Sequence, residues 1–584
     1  MKKGVALLFL SLFVLSSCST SGDSFTKSDK IKVMIERGAN YVVKEGIKEI
    51  NPGDDCTFHV SFIEGASLIS VSYSDYFINN ETDSSFDLTL LKVKYPLTVS
   101  LEMSVDSFHY VIEDSKPEVL RPIYHYHLRE NTMDGYPYFN EEGYLPVGWN
   151  TKADYFGTYI PFGSRAPYGE TTFYLQKEKV SDSSLFTYTK ETQGLFLTSY
   201  TGSEKKVVVP ASIDGVNVYG IKKGTFSNPS IKEAVLGKNI KVIEDDAFTG
   251  TSLETLYCCD NIERVTSASF PSTLKTVYFN AVEKPRFSGS YYDTFPDKID
   301  YLAKDINKEH KLVLFSGSST RFGYYSPILE EAYPSYQVIN MGVFAYVNIK
   351  PQLEVISSFL KEGDILLSSP EFDPNSLDFQ MGSDPHFEWN LFAFFESNYD
   401  LLKYVDIRNY PDFFSSFNSY NLMRRSMPDK GYDVVAKHYD DDDHYHGEET
   451  YNIEGDVILY RPGNETDSWI MQPLADYTQN SITPLRVAAL IQEYQKLLDK
   501  NIKVYFTFSP KNRNCLTANS TEEERDKTET YLKENLIVPV ISHWKESILP
   551  GTDFYLIDNH LSSLAAKERT KRVSRDLYPF IKKA

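Results

Sequence analysis

Lys311-Leu312-Val313-Leu314-Phe315-Ser316-Gly317-Ser318-Ser319-Thr320-Arg321-Phe322-Gly323 is the stretch on which the fold turns. Its first five residues, apolar after the lysine, are too few for a buried helix and fit a strand covered on both faces. The Ser/Gly turn that follows opens a new element. The same form recurs at Tyr336-Gln337-Val338-Ile339-Asn340, at Gly363-Asp364-Ile365-Leu366-Leu367-Ser368 and from Asn501 to Phe508. Helical stretches lie between, from Ile349 to Leu360 and from Pro484 to Asp499, the second with Leu485, Ala488, Leu490, Ile491, Tyr494, Leu497 and Leu498 in phase. Strand–helix alternation of this kind predicts a three-layer α/β/α domain over residues 305–584. Its parallel sheet is buried on both faces and its site lies at the carboxyl ends of the strands.

Upstream, the pattern is periodic on a longer scale. Phe226, Phe248 and Phe270 are 22 residues apart, as are Ile221, Ile243 and Val265, and Ile231 and Leu253, with Leu274 one residue short. A fixed period with several apolar positions in phase predicts stacked units that bury each other's edges, over residues 179–300. Ile240-Lys241-Val242-Ile243-Glu244-Asp245-Asp246-Ala247-Phe248 resembles the BspA-type leucine-rich repeat. That resemblance implies a short solenoid and a surface for a protein partner. A rigid spacer is the other reading of the same units.

Residues 121–178 contain Gly148-Trp149-Asn150-Thr151, then Ala153-Asp154 and Gly157-Thr158. They resemble the small β repeat of bacterial surface proteins named after Listeria and Bacteroides, with Tyr155-Phe156 in place of its usual small pair. His125 and His127 share one strand face, but no nearby Cys or carboxylate completes a metal set, so no metal is expected. Residues 31–120 alternate in twos, as in Thr57-Phe58-His59-Val60-Ser61-Phe62, with turn residues at Pro52-Gly53-Asp54 and Asn79-Asn80; a β-sandwich-like module is expected there.

Met1-Lys2-Lys3, an apolar run from Val5 to Leu15 and Leu15-Ser16-Ser17-Cys18 read as a signal segment over residues 1–17, too short to span a bilayer. The last four residues resemble the lipobox of bacterial lipoproteins. This implies acylation of Cys18, a tether over 18–30 and attachment to the cell membrane or outer membrane, facing the exterior or periplasm. An ordinary signal with an incidental cysteine is the alternative. The formal net charge of −21 becomes −23 once Lys2 and Lys3 leave, which argues against nucleic acid as a partner. Cys56, Cys258, Cys259 and Cys515 are too scattered for a disulfide framework. With 42 Tyr and 37 Phe against 4 Trp, the composition suits β-rich extracellular modules.

The residues at the strand ends carry the chemistry. A Ser on a turn opening a helix exposes its hydroxyl and its own N–H, and a nearby Gly lets a second N–H approach the same point. Ser316 to Gly323, Asn340-Met341-Gly342 and Asp558-Asn559-His560-Leu561 together resemble the SGNH/GDSL hydrolases. Laid on the family's Gly-Asp-Ser block, Gly317-Ser318-Ser319 puts the nucleophile at Ser319, with Ser318 the other register. His560 is the implied base, Asp558 the orienting acid, and the N–H groups of Ser319 and Gly342 the oxyanion donors. Asn340 and Glu371 are expected at the same mouth as substrate contacts. Ser369-Pro370-Glu371-Phe372 stands where the family keeps an oxyanion Asn, and only Asn559 separates Asp558 from His560. Asp553 or a simple Ser–His dyad are therefore alternatives.

Residues 375–480 interrupt the alternation as an aromatic insertion, in which His438 to Glu449 reads as a solvated acidic loop or a metal cluster. Taken together, the resemblances imply a lipid-anchored esterase or O-acyltransferase without a cofactor, acting on an acylated extracellular or cell-wall glycan. The alternative class is an inert surface scaffold that binds a protein or glycan through its repeats.

Overall fold

The 22-residue spacing is realised as two sets of short parallel strands. Lys206–Val208, Glu233–Val235, Thr255–Cys259 and Thr276–Asn280 pair in register, Val235 facing Tyr257 and Tyr257 facing Tyr278. Val216–Ile221 pairs with Val242–Ile243, and Val242 bridges Arg264, again one period on. Between the two sets Phe226, Phe248 and Phe270 are buried and their rings stack at 4.4 and 5.6 Å. Ile221, Ile243, Val265, Ile231 and Leu253 join the same core. The structure, a computed structural model, describes residues 30–581 other than 37–40, 63–65, 83, 114–115, 126–132, 134, 140, 168–169, 171, 284, 288–291, 293, 304–307, 373–388, 427–453 and 458–459. Cys18, His127 and the segment His438 to Glu449 therefore lie outside the described residues.

Toward the N terminus, the strand Cys56–Phe62 buries alternate residues, as its period of two requires. It pairs with Tyr41–Lys44 and Ser85–Leu90, and Val33, Phe58, Val60, Phe86, Leu88 and Val99 fill the core beneath. A second sheet is laid across the expected boundary at residue 120. Lys116–His125 runs through that position and pairs with Leu101–Glu113. Leu101–Glu113 also takes Thr172–Lys179 on its other side, and Tyr144–Asn150 follows. Backbone pairing thus joins residues on both sides of 120, because the long strand serves as template for both.

One loop-and-strand unit from this sheet covers the repeats. Leu145 and Val147 pack on Val208 and Val235, the outward face of the repeat strands. Tyr159 meets Tyr257 and Tyr278 edge-on at 5.4 and 5.1 Å. Asn280 donates to the Val147 carbonyl at 3.0 Å and accepts from the Phe162 amide at 2.8 Å.

The C-terminal region is mixed α/β. Four parallel strands lie in the order Tyr336–Asn340, His310–Phe315, Ile365–Ser368, Lys503–Phe506. Alternate residues point to opposite faces. Leu312, Leu314, Val338, Ile365 and Leu367 meet Tyr324, Leu329, Val573 and Leu577. Val313, Phe315, Ile339, Leu366 and Val504 meet Leu353, Val355, Leu490 and Tyr494 on the other side. The helix Pro484–Leu498 begins where Thr483 caps the Arg486 amide and Pro484 occupies a position that needs no N–H.

The described part of the aromatic insertion is seated on the end of the repeats. The helix Phe413–Ser426 puts Phe417 on Phe279 at 4.3 Å and Phe414 on Phe270 at 4.9 Å. Asn418 and Asn421 donate to the carbonyls of Val265 and Ile262, backbone acceptors that the last repeat leaves open. Arg424, fully buried, pairs with Asp260 at 2.7 Å and donates to the Asp260 carbonyl and to Asn421. Repeats and α/β region consequently share one hydrophobic core. Among the described residues no helix is long and apolar enough to cross a membrane.

Candidate active site

The strand His310–Phe315 delivers Ser316 and Gly317 to the carboxyl edge of the sheet, and the short helix Ser318–Arg321 starts there. Gly317 is required by crowding: a Cβ would stand 2.5 Å from the Ala345 Cα and 2.7 Å from Glu371 Oε1. A Cβ on Gly342 would run into the Arg321 amide. These two close approaches bring the loop after the second strand against the helix that carries Ser319.

Ser319 has no exposed surface, and its hydroxyl has no hydrogen-bond partner among the described residues. Its N–H donates to Glu371 Oε1 at 2.8 Å, while Asn559 Nδ2 donates to Glu371 Oε2 at 2.9 Å. One carboxylate therefore ties the helix of Ser319 to the residue before His560. Phe322, at the end of that helix, stacks on the His560 ring with centroids 3.9 Å apart and planes at 17°. Two separate contacts hold the histidine loop on the serine helix. Neither ring nitrogen of His560 has a hydrogen-bond partner among the described residues. Burial, and after it the charges of Arg461, Arg321 and Lys511, holds this imidazole well below its ordinary range. It is neutral at physiological pH, the form in which an imidazole accepts a proton.

Four sequence expectations need correction. Asp558 does not orient His560: its carboxylate pairs with Lys511 at 2.5 Å, both groups buried, because a buried charge takes the nearest opposite one. Asp553 does not replace it, since among the described residues neither imidazole nitrogen of His560 donates a hydrogen bond to either acid. The Gly342 N–H is not open to a ligand, because Asn340 Oδ1 accepts from it at 3.0 Å in an Asx turn. The Ser319 N–H, likewise, is already engaged by Glu371.

Asn340 is a structural contact at this mouth. Its amide donates to the Thr320 carbonyl at 3.0 Å and to Asp456 Oδ1 at 2.9 Å. Asp456 also accepts from the Ser326 hydroxyl at 2.9 Å and from the Ser326 amide. The segment following the undescribed part of the insertion is thereby fastened to the site. The sequence pattern gave no part to Asp456 or Arg461, and to Phe322 only a place at the end of the serine stretch; the contacts of Phe322 with Arg461 and His560 each span more than 100 positions. No local pattern announces such contacts. Ser318, the other register for the nucleophile, is buried on the same helix. Among the described residues no group of three or more His, Cys, Asp or Glu is placed to hold a metal ion.

No protein-family model matches the chain, and no curated protein does. Among solved structures, a leucine-rich repeat protein of T. pallidum (TpLRR) matches at 15% identity and a TM-score of 0.10, over 23% of this chain and 60% of that one. The match thus spans less than two thirds of that protein, and a likeness this slight bears on neither fold nor chemistry.

Proposed function

We propose that the chain is a serine esterase or O-acyltransferase of the SGNH type, lipid-anchored at Cys18 and acting on an acylated extracellular or cell-wall carbohydrate. In this reading residues 179–300 are a short leucine-rich solenoid and residues 305–584 a flavodoxin-like α/β/α domain. The observation that carries it is the convergence of Ser319, Glu371 and the Asn559-His560 loop at the carboxyl edge of a parallel sheet. Among the described residues the serine hydroxyl and both imidazole nitrogens have no hydrogen-bond partner, so that Ser319 and His560 have still to close on each other when substrate enters, and the imidazole is neutral.

In the reaction, Ser319 Oγ attacks the acyl carbonyl and His560 takes the hydroxyl proton. The ester C–O bond breaks, and His560 returns the proton to the leaving sugar oxygen. Water, or a second sugar hydroxyl, then removes the acyl group from Ser319. With Asp558 held by Lys511, the pair works as a dyad, and the surrounding cations favour the oxyanion over the imidazolium. For the Ser319 N–H to serve that oxyanion, Glu371 must turn aside when substrate enters.

The scaffold reading is the poorer one, because part of the outward face of the repeat strands is already covered by Leu145, Val147 and Tyr159. The deciding experiment is labelling with a serine-reactive fluorophosphonate, alongside turnover of acetylated sugars and model esters. The wild type is expected to label and Ser319→Ala to fail. Labelling lost only in Ser318→Ala would move the nucleophile by one residue. No labelling and no turnover by the wild type would favour the inert scaffold.

A further inference from the structure

We infer that Arg461 is a positioning residue for this chemistry, its guanidinium fixing the helix of Ser319 against the loop of His560. The inference rests on the assignment of Ser319 and His560 as nucleophile and base. Arg461 is buried, and its planar fork is spread over three backbone carbonyls. Nε donates to Leu561, the residue after His560, at 3.0 Å, and Nη2 donates to Phe322, the end of the Ser319 helix, at 3.3 Å. Nη1 donates at 2.7 Å to Val457, one residue after the Asp456 that holds Asn340. The Arg461 backbone is itself pinned: its amide donates to the Ser563 hydroxyl at 2.9 Å, and its carbonyl accepts from the Ser563 amide at 3.0 Å.

One side chain therefore touches both segments that bear the reacting groups, through acceptors next to those groups. The guanidinium also lies over the Phe322 ring at 5.4 Å, and the same ring stacks on His560 at 3.9 Å. Five rigid donors in one plane suit this task and a lysine does not, since an ammonium has no fork to span separated carbonyls. The other charges facing His560 are Arg321 and Lys511, both cations, with Asp558 neutralised by the latter. Arg461 thus acts on the imidazole in two ways, by holding it and by resisting its protonation.

The test uses the full chain and compares wild type, Arg461→Lys and Arg461→Gln, each checked for folding by thermal melt. Readouts are the fluorophosphonate labelling rate, kcat and KM on an acetylated sugar, and the pH profile of kcat/KM. Arg461→Lys is expected to lose about 10–100-fold in labelling rate and kcat with KM little changed and the acid limb in place, because misplacement by about 1 Å costs this much. Arg461→Gln is expected to lose as much and also to move the acid limb to higher pH, as a cation leaves the imidazole. Should Arg461→Gln not fold, Arg461→Lys carries the same kcat-against-KM comparison. A folded variant that labels at the wild-type rate with an unmoved profile overturns the inference alone. Failure of the wild type to label overturns the assignment of Ser319, and the role of Arg461 with it.

Discussion

The repeat ladder and the serine site are made of contacts with very different reach along the chain. Phe226, Phe248 and Phe270 stack on rings one period away, and each repeat strand pairs with the next one on. At the site, Glu371 bonds residues 52 positions before it and 188 after it, and Arg461 reaches back 139 positions to Phe322. Nearest-neighbour packing tolerates loss of one unit by degrees. A set of long-range tethers fails together, because each holds the geometry the others need.

The largest effect expected on that contrast is at the site. Ser319→Ala should lower ester turnover by about three or more orders of magnitude while the melt stays unchanged, since removing one member of a joint unit abolishes the contribution of all. Equal turnover in variant and wild type would remove the site from the comparison altogether.

The seam between the two regions comes next. Arg424→Met strands Asp260 and Glu396 in the interior and should cost about 3–5 kcal/mol. Hydrogen exchange should quicken at residues 260–280 and in Phe413–Ser426 together. Exchange confined to the helix would mean that the ladder stands without its cover. Phe248→Ala removes the central ring and should also cost about 3–5 kcal/mol, read as denaturant sensitivity of residues 220–280 with the ester site still labelling. A simultaneous loss of labelling would show the two regions to be one cooperative unit.

Smaller effects probe the histidine loop. The depressed imidazole of His560 contributes stability that is fully present above about pH 6.5 and is lost as pH falls below it, by up to about 1.4 kcal/mol per pH unit. His560→Gln should flatten that part of the denaturant-midpoint curve between pH 7 and 5; an unchanged slope would contradict burial of the neutral ring. Leu556, four residues before His560, adopts a left-handed backbone with φ of 57°. Leu556→Gly should relieve roughly 1 kcal/mol of backbone strain, seen as a raised melt, and a lowered melt would mean that the leucine side chain is needed where it sits.

The two regions also differ in how much of each could be read from the chain. The ladder was open to reading because its physics is periodic: equal spacing of Phe226, Phe248 and Phe270 states in advance which rings meet. The parallel strands of the α/β region were equally visible, being apolar on both faces. At the site, strand-end placement brought out Ser319, Glu371 and the Asn559-His560 loop. It missed what competing polar groups do at close quarters. Lys511 takes Asp558 across a distance no spacing rule covers, and the side chain of Asn340 closes on the Gly342 amide. The second of these had a local signal, since Asn two residues before an N–H is an Asx turn. The seam had none, because Asn418, Asn421 and Arg424 look like an ordinary polar helix face until Val265, Ile262 and Asp260 are set beside them.

The way the ladder is enclosed bears on how the gene can change. Stacked repeats ordinarily lengthen by duplication, since each copy offers the next the same edge. Here a copy added after residue 280 would carry Asp260 away from Arg424, and Phe279 away from Phe417. A copy added nearer the start would slide Val208 and Val235 out from under Leu145 and Val147 by about one strand spacing, roughly 4.8 Å. Lineages that descend from this arrangement should keep the number of turns constant and vary at exposed side chains instead, much as a threaded bolt between two fixed nuts can be plated but not extended.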